Sequence, residues 1–181
     1  MKVAGFAGFS GSGKTTLVEQ LIGALRLRGQ RVSVIKHAHH RFDIDHPGKD
    51  TWRHREAGAF EVLAASPRRV VIMRELTERV EHDVHLLLAE LHPDVDWVLV
   101  EGFKESNLPK IEVWREASRV PVRYPSDACV VAIATDSPQA LPEPALRPVL
   151  DLNRADDVAV WLLDNAERFE YRSRDRDTSP P

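Results

Sequence analysis

The chain has 181 residues, a formal charge of −3 from 25 Lys+Arg against 28 Asp+Glu, and an apolar share of 43% that reaches the usual globular ~45–50% once glycine is added. That balance excludes a collagenous or wholly disordered chain and a polycation built to coat nucleic acid or anionic membrane. A single cysteine, Cys129, excludes an internal disulfide and any cysteine-cluster metal site.

Val3 to Phe9 is short and apolar, as a buried strand should be. A glycine-rich stretch follows, and from Thr15 to Arg28 the period turns helical, with Leu17, Leu21, Ala24 and Leu25 on one face and Gly29 as the stop. Arg31 to Lys36 reads as a second strand, so the opening is a βαβ unit with a right-handed crossover. After an irregular polar segment, Asp50 caps a short helix through Ala57. Phe60 to Ala65 and Arg69 to Met73 read as strands around a Ser66-Pro67 turn. Thr77 is the expected N-cap of a helix with Val80, Val84, Leu87, Leu88 and Leu91 on one face. Val95 to Val100, Ile111 to Trp114 and Asp127 to Thr135 are further strands, with Cys129 in the core. A proline-rich connector leads to Asn153, the expected cap of a last helix. Residues 1–167 are expected to form one nucleotide-binding domain and 168–181 a polar, disordered tail. The order implies an α/β fold with a mostly parallel sheet, whose ligands sit beyond the strands' carboxyl ends. No run approaches ~18 apolar residues, and the start does not read as a signal peptide, so a soluble cytoplasmic protein is expected, with no membrane or nucleic-acid partner.

Residues 8–15, GFSGSGKT, match G-x-x-x-x-G-K-[ST] between a strand and a helix. Ser10, Gly11, Ser12 and Gly13 turn backbone N–H groups onto phosphate oxygens. Lys14 supplies charge to the β- and γ-phosphates, Thr15 a hydroxyl to Mg²⁺, and Thr16 stands beside it at the helix start. The run Trp97 to Val100 closes on Glu101, a Walker B-like acid that would serve Mg²⁺ or orient water. Thr135-Asp136 ends another strand, where an Asp can accept from guanine N1 and N2 but finds no such donor pair on adenine. Lys104, Lys110 and Arg115 lie near the same rim and could hold a second anion.

Residues 36–55 carry five fixed cations against three acids and are locally +2, leaving −5 for the rest; five of the eight histidines lie in residues 36–59. A metal site, a phosphate site and a solvated loop compete as readings. The phosphate site is favoured, with His37, His40, Lys49, Arg53, Arg55 and Lys104 as its residues and Asp43 or Asp45 facing the nucleotide's Mg²⁺; Asp43 and Glu101 are also the catalytic candidates.

GFSGSGKTTL at 8–17, IKHAHHRFDIDHPGKDTWRHREAGA at 35–59, LVEGFK at 99–104 and PKIEVWR at 109–115 resemble the molybdopterin-guanine dinucleotide biosynthesis adaptor (MobB) family over about residues 1–165. The resemblance implies a SIMIBI-type P-loop GTP-binding fold, a homodimer, weak GTPase activity at most, and GTP, Mg²⁺ and molybdopterin as ligands. It implies a molybdenum cofactor guanylyltransferase as partner, assisted in joining GMP to molybdopterin. The residues alone leave two rivals, a P-loop small-molecule kinase and a nickel metallochaperone GTPase.

Overall fold

The computed structural model describes residues 1–38, 42–78 and 80–172. In chain order its elements are β1 (Lys2–Ala7), α1 (Lys14–Leu27), β2 (Val32–Lys36), α2 (Asp50–Glu56), β3 (Glu61–Ser66), β4 (Arg69–Arg74), α3 (Val84–Ala89), β5 (Trp97–Glu101), β6 (Lys110–Trp114), β7 (Val130–Thr135), β8 (Val149–Asp151) and α4 (Ala155–Asp164), with 3-10 turns at Glu116–Ser118, Pro138–Ala140 and Ala166–Phe169. They form two compact units, Met1–His37 with Val84–Pro181, and Ala38–Asp83.

The first unit is built on a six-stranded parallel sheet in the order β2-β5-β1-β6-β7-β8. Alternation along β1 and β5 sends side chains to both faces. Ala4, Phe6, Trp97 and Leu99 pack with Leu17, Leu21 and Leu25 of α1 and with Val158 and Leu162 of α4. Val3, Val98 and Val100 pack with Val84 and Leu88 of α3. Both faces are covered, which is why these strands read as unbroken apolar runs. Each fully buried Leu, Val or Phe stabilises by about 1.5–3 kcal/mol relative to exposure. Together they fix the strand ends from which the site projects.

The second unit joins α2 to an antiparallel β3–β4 hairpin, tightened where the Ser66 hydroxyl accepts from the Arg68 N–H at 3.4 Å. The cross-strand pairs Leu63–Ile72 and Ala65–Val70 share one face, and Leu63, Val70 and Ile72 stand more than half exposed there.

Several expectations change. The helix expected from Thr77 begins only at Val84 and ends at Ala89, before Leu91. Val80 is 52% exposed, so the extra turn would bury little, and a short helix with little burial does not hold. Asn153 does not cap α4: its N–H donates to the Asp151 carboxylate at 2.8 Å in an Asx turn, and Arg154 takes the N-cap position. Cys129 is half-buried in the turn before β7, not in the core. Strand β8 was not foreseen. Past residue 167 the chain still packs: Phe169 is 1% exposed against Trp97 and Trp161, and the Tyr171 N–H donates to the Met1 carbonyl at 3.0 Å. The tail expected from there lies, over 173–181, outside the described residues.

Candidate nucleotide-binding site

Residues 8–13 leave β1 and turn into α1. The turn is too tight for a side chain at Gly8, where a Cβ would meet the Val113 carbonyl oxygen at 2.4 Å. Gly13 is the N-cap of α1 at φ 95°, a conformation that favours glycine, and it supplies no capping side chain. The first N–H groups of the helix are thus left to an anion, with the positive end of the helix dipole behind them. Ser10, Gly11, Thr15 and Thr16 are exposed on this turn. The Ser12 side chain is buried, and its Oγ finds no hydrogen-bond partner among the described residues. The Lys14 ammonium donates to the Phe9 carbonyl at 2.6 Å, across the turn it would share with phosphates. Burial lowers the Lys14 pKa below the usual lysine value; the Lys36 charge adds to the shift and Glu101 opposes it.

Glu101 ends β5 beside this turn and is 8% exposed. The Thr15 hydroxyl donates to Glu101 Oε1 at 2.7 Å. Lys36, the last residue of β2 and in register with Glu101, lies 3.4 Å from its Oε2 and 3.4 Å from the Thr15 oxygen. A hydroxyl and a carboxylate at the mouth of a phosphate loop are the hard oxygen donors that Mg²⁺ takes alongside substrate phosphates, so these residues fit that ion. As a strand end and one cation of a charge run, Lys36 carries no site role in the sequence. The sequence shows it only as the last residue of the second strand; the pairing of β2 with β5 is what sets it beside Glu101.

His37 and Lys104 reach the same end of the sheet. The His37 N–H donates to the Glu101 carbonyl at 2.9 Å, and its ring stacks on Phe103 at 4.5 Å and 18°. Phe103, at φ 47°, follows Gly102, so the chain after Glu101 is held in a conformation few side chains adopt. The Lys104 ammonium sits 6.0 Å over the Phe9 ring. Lys110 is not a rim cation. It is 2% exposed, and its ammonium donates to the Lys104 and Ser106 carbonyls at 2.9 and 2.6 Å, fastening the loop after Glu101. Arg115 is not free either: its guanidinium is paired with Asp136.

In the second unit, Arg55 is enclosed by three carboxylates, Asp43 at 2.8 Å, Asp45 at 3.4 Å and Glu75 at 3.3 Å. Both Asp43 oxygens accept from it. With 12% of its side chain exposed and three acids around it, Arg55 does not present itself to a phosphate, and Asp43 is committed to Arg55. Burial pushes the Asp45 carboxyl up, but the His46 N–H, the Thr51 hydroxyl and the Arg55 charge outweigh it and hold it below the usual range. Lys49 and Arg53 are exposed at and within α2, Arg53 only 3.9 Å from Asp50. His40 lies outside the described residues.

Five adjacent strands therefore deliver Lys36, Glu101, residues 8–15, Arg115 and Asp136 to one end of a parallel sheet, the architecture and site of a P-loop NTPase fold. The profile of the family described as molybdopterin guanine dinucleotide synthesis protein B, MobB, matches residues 3–136. The chain belongs to the MobB family. It is 43% identical over 162 residues to the molybdopterin-guanine dinucleotide biosynthesis adapter protein of Haemophilus influenzae, covering 87% of this chain and 88% of that protein. The adapter protein of the same description from Escherichia coli is 41% identical over 160 residues, 87% of this chain and 91% of that one. Among solved structures, a MobB protein homologue from Bacillus stearothermophilus superposes with a TM-score of 0.66 at 27% identity, over 92% of this chain and 99% of that one. Among the described residues no helix is long and apolar enough to cross a membrane.

Proposed function

We propose that the chain is a GTP-binding adapter of molybdopterin guanine dinucleotide synthesis that assists a molybdenum cofactor guanylyltransferase. The observation that carries this reading is the Thr15–Glu101 contact at 2.7 Å at the mouth of the phosphate loop, in a chain of this family. Ser10 to Gly13, Lys14 and Thr16 would hold the triphosphate, and Thr15 and Glu101 would hold Mg²⁺, which neutralises phosphate charge when bound. Asp136 would read guanine. His37 and Lys104, at the same end of the sheet, are the ring and the cation offered to the phosphate and pterin of molybdopterin. Thr15 and Lys36 hold the Glu101 carboxylate, which favours nucleotide retention over fast turnover and suits an adapter with slow hydrolysis at most.

The apolar face of Leu63, Val70 and Ile72 supports a homodimer. A two-stranded hairpin is marginal alone and needs such a face covered. Sedimentation of the purified chain at micromolar concentration reads that state directly. The test of function is a reconstituted guanylylation of molybdopterin at limiting GTP. The chain should raise the rate of dinucleotide formation, and Glu101→Gln should lose most of that stimulation. An unchanged rate on adding the chain would refute the adapter role.

A further inference from the structure

The carboxyl ends of β6 and β7 are tied to the phosphate loop by one side chain. Arg115 follows the last residue of β6, and its carbonyl accepts from the Ser118 hydroxyl at 2.6 Å and the Ser118 N–H at 3.1 Å in the 3-10 turn Glu116–Ser118. Its guanidinium then reaches two ways. Nε donates to the Ser12 carbonyl at 3.2 Å, and Nη1 donates to Oδ2 of Asp136. The group lies so close over Gly13 that a Cβ there would stand 3.2 Å from Nε.

A cation over the N-terminus of α1 opposes the helix dipole, and a free arginine would not settle there. The Asp136 carboxylate offsets it, and the planar fork of arginine serves a carbonyl and a carboxylate together, which a lysine cannot. The pair is thus a neutral strut between the strand end after β7 and the loop before α1. It does not exhaust Asp136. Oδ1 accepts from the Ser137 hydroxyl at 3.1 Å and Oδ2 from Arg115, while a carboxylate offers about four lone-pair sites. One site per oxygen remains, the number needed for the N1–H and 2-amino donors of guanine.

We propose that Arg115 is a positioning residue for base selectivity: it orients the Asp136 carboxylate toward guanine and couples it to the phosphate loop through the Ser12 carbonyl. The proposal rests on the reading of Asp136 as the guanine acceptor. Without Arg115 the carboxylate is free to turn about its side-chain torsions, and the Ser12 carbonyl loses a charged donor.

The test is calorimetric binding of GTP, ATP and inorganic tripolyphosphate, each with Mg²⁺, to the full chain and to Arg115→Ala, Arg115→Gln and Asp136→Asn. Arg115→Ala should weaken GTP by about tenfold or more, the scale of a lost charge-assisted hydrogen bond, and leave tripolyphosphate within a few fold. The GTP-to-ATP affinity ratio should fall toward that of Asp136→Asn. Arg115→Gln, which can donate to Ser12 or to Asp136 but not to both, should lower the ratio as well, and it carries the test if the alanine variant does not fold. A ratio that survives in a folded Arg115 variant overturns the proposal, whether GTP, ATP and tripolyphosphate weaken together, as for a phosphate ligand, or not at all. If Asp136→Asn leaves the ratio unchanged, the guanine reading itself fails and the positioning role falls with it. If Asp136→Asn lowers the ratio and the Arg115 variants do not, the positioning role alone is lost.

Discussion

At the strand ends of the sheet, Lys14, Lys36 and Arg115 face two carboxylates, Glu101 and Asp136, so one positive charge is left over. In the Ala38–Asp83 unit, among the described residues, Arg55 is the one guanidinium within ion-pair distance of Asp43, Asp45 and Glu75, so two negative charges are left over among them. Both clusters are made of basic and acidic side chains, and the stretch 36–55, with five fixed cations, contributes to each: Lys36 to the first and Arg55 to the second. Yet the first cluster is the one with charge to offer a polyphosphate, while the second is closed on itself as a clasp. Charge density along a chain therefore locates polar chemistry, but the pairing of charges in space decides whether it faces a ligand. The difference can be broken by variants that touch one cluster and leave the other intact.

The largest effect is expected at Lys14. Lys14→Ala removes the point charge that the phosphates would take over from the Phe9 carbonyl, and GTP affinity should fall by about a hundredfold or more, since charge-assisted contacts to two phosphates are lost together. Thermal stability should change little, because the Lys14 side chain is only partly buried and its hydrogen bond among the described residues is to a loop carbonyl. Unchanged calorimetric GTP binding would remove the phosphate-loop assignment.

Arg55→Ala is the matching change in the second unit, and its effect should be the reverse: stability falls and GTP affinity holds. The three acids lose their shared donor, a loss of about 1–3 kcal/mol in chemical denaturation, at the low end because water reaches the half-exposed Asp43 and Glu75. If Arg55→Ala instead weakened GTP tenfold at constant stability, the clasp would have to open to a phosphate, and the contrast between the two clusters would collapse.

The elements that were legible in the sequence are those whose cause is local. A glycine loop between an apolar run and a 3.6-residue period announces strand, phosphate loop and helix together. Four apolar residues closing on Glu101 announce a buried parallel strand with an acid at its carboxyl end. What was not legible depends on partners distant in the chain. Lys36 and Glu101 are brought together only by the pairing of β2 with β5, and Arg115 with Asp136 only by that of β6 with β7. The three-residue β8 lies half-exposed at the sheet edge behind a proline-rich connector, and no period of two can be read in three residues. The helix at Thr77 failed for the opposite reason: its pattern was local and sound, but Val80 stands 52% exposed and gains too little burial to hold it.

The smallest expected effect is also the most specific to the first cluster. Burial holds the free Lys14 ammonium below the ordinary value of 10.5, with Lys36 adding to the shift and Glu101 opposing it. A bound triphosphate places negative charge beside the ammonium and raises its pKa again. Below the free-chain value both states carry the proton, and Lys14 makes affinity independent of pH. As pH rises through that value, the free chain loses the proton while the complex keeps it. GTP affinity then falls, by at most about tenfold per pH unit, and binding takes up a proton. Calorimetry in two buffers of different ionisation enthalpy should show that uptake setting in below pH 10.5. Glu101→Gln removes the opposing charge and should move the onset to lower pH; Lys36→Met should move it higher. The clasp titrates at the other end of the scale. The Asp45 carboxyl is held below its ordinary 3.8, so its contribution to stability is complete above that value and is lost only as pH falls through the lowered one. Proton uptake on GTP binding that is unmoved by Glu101→Gln and Lys36→Met would separate Lys14 from the neighbours that define the cluster, and the strand ends would no longer act as one electrostatic site.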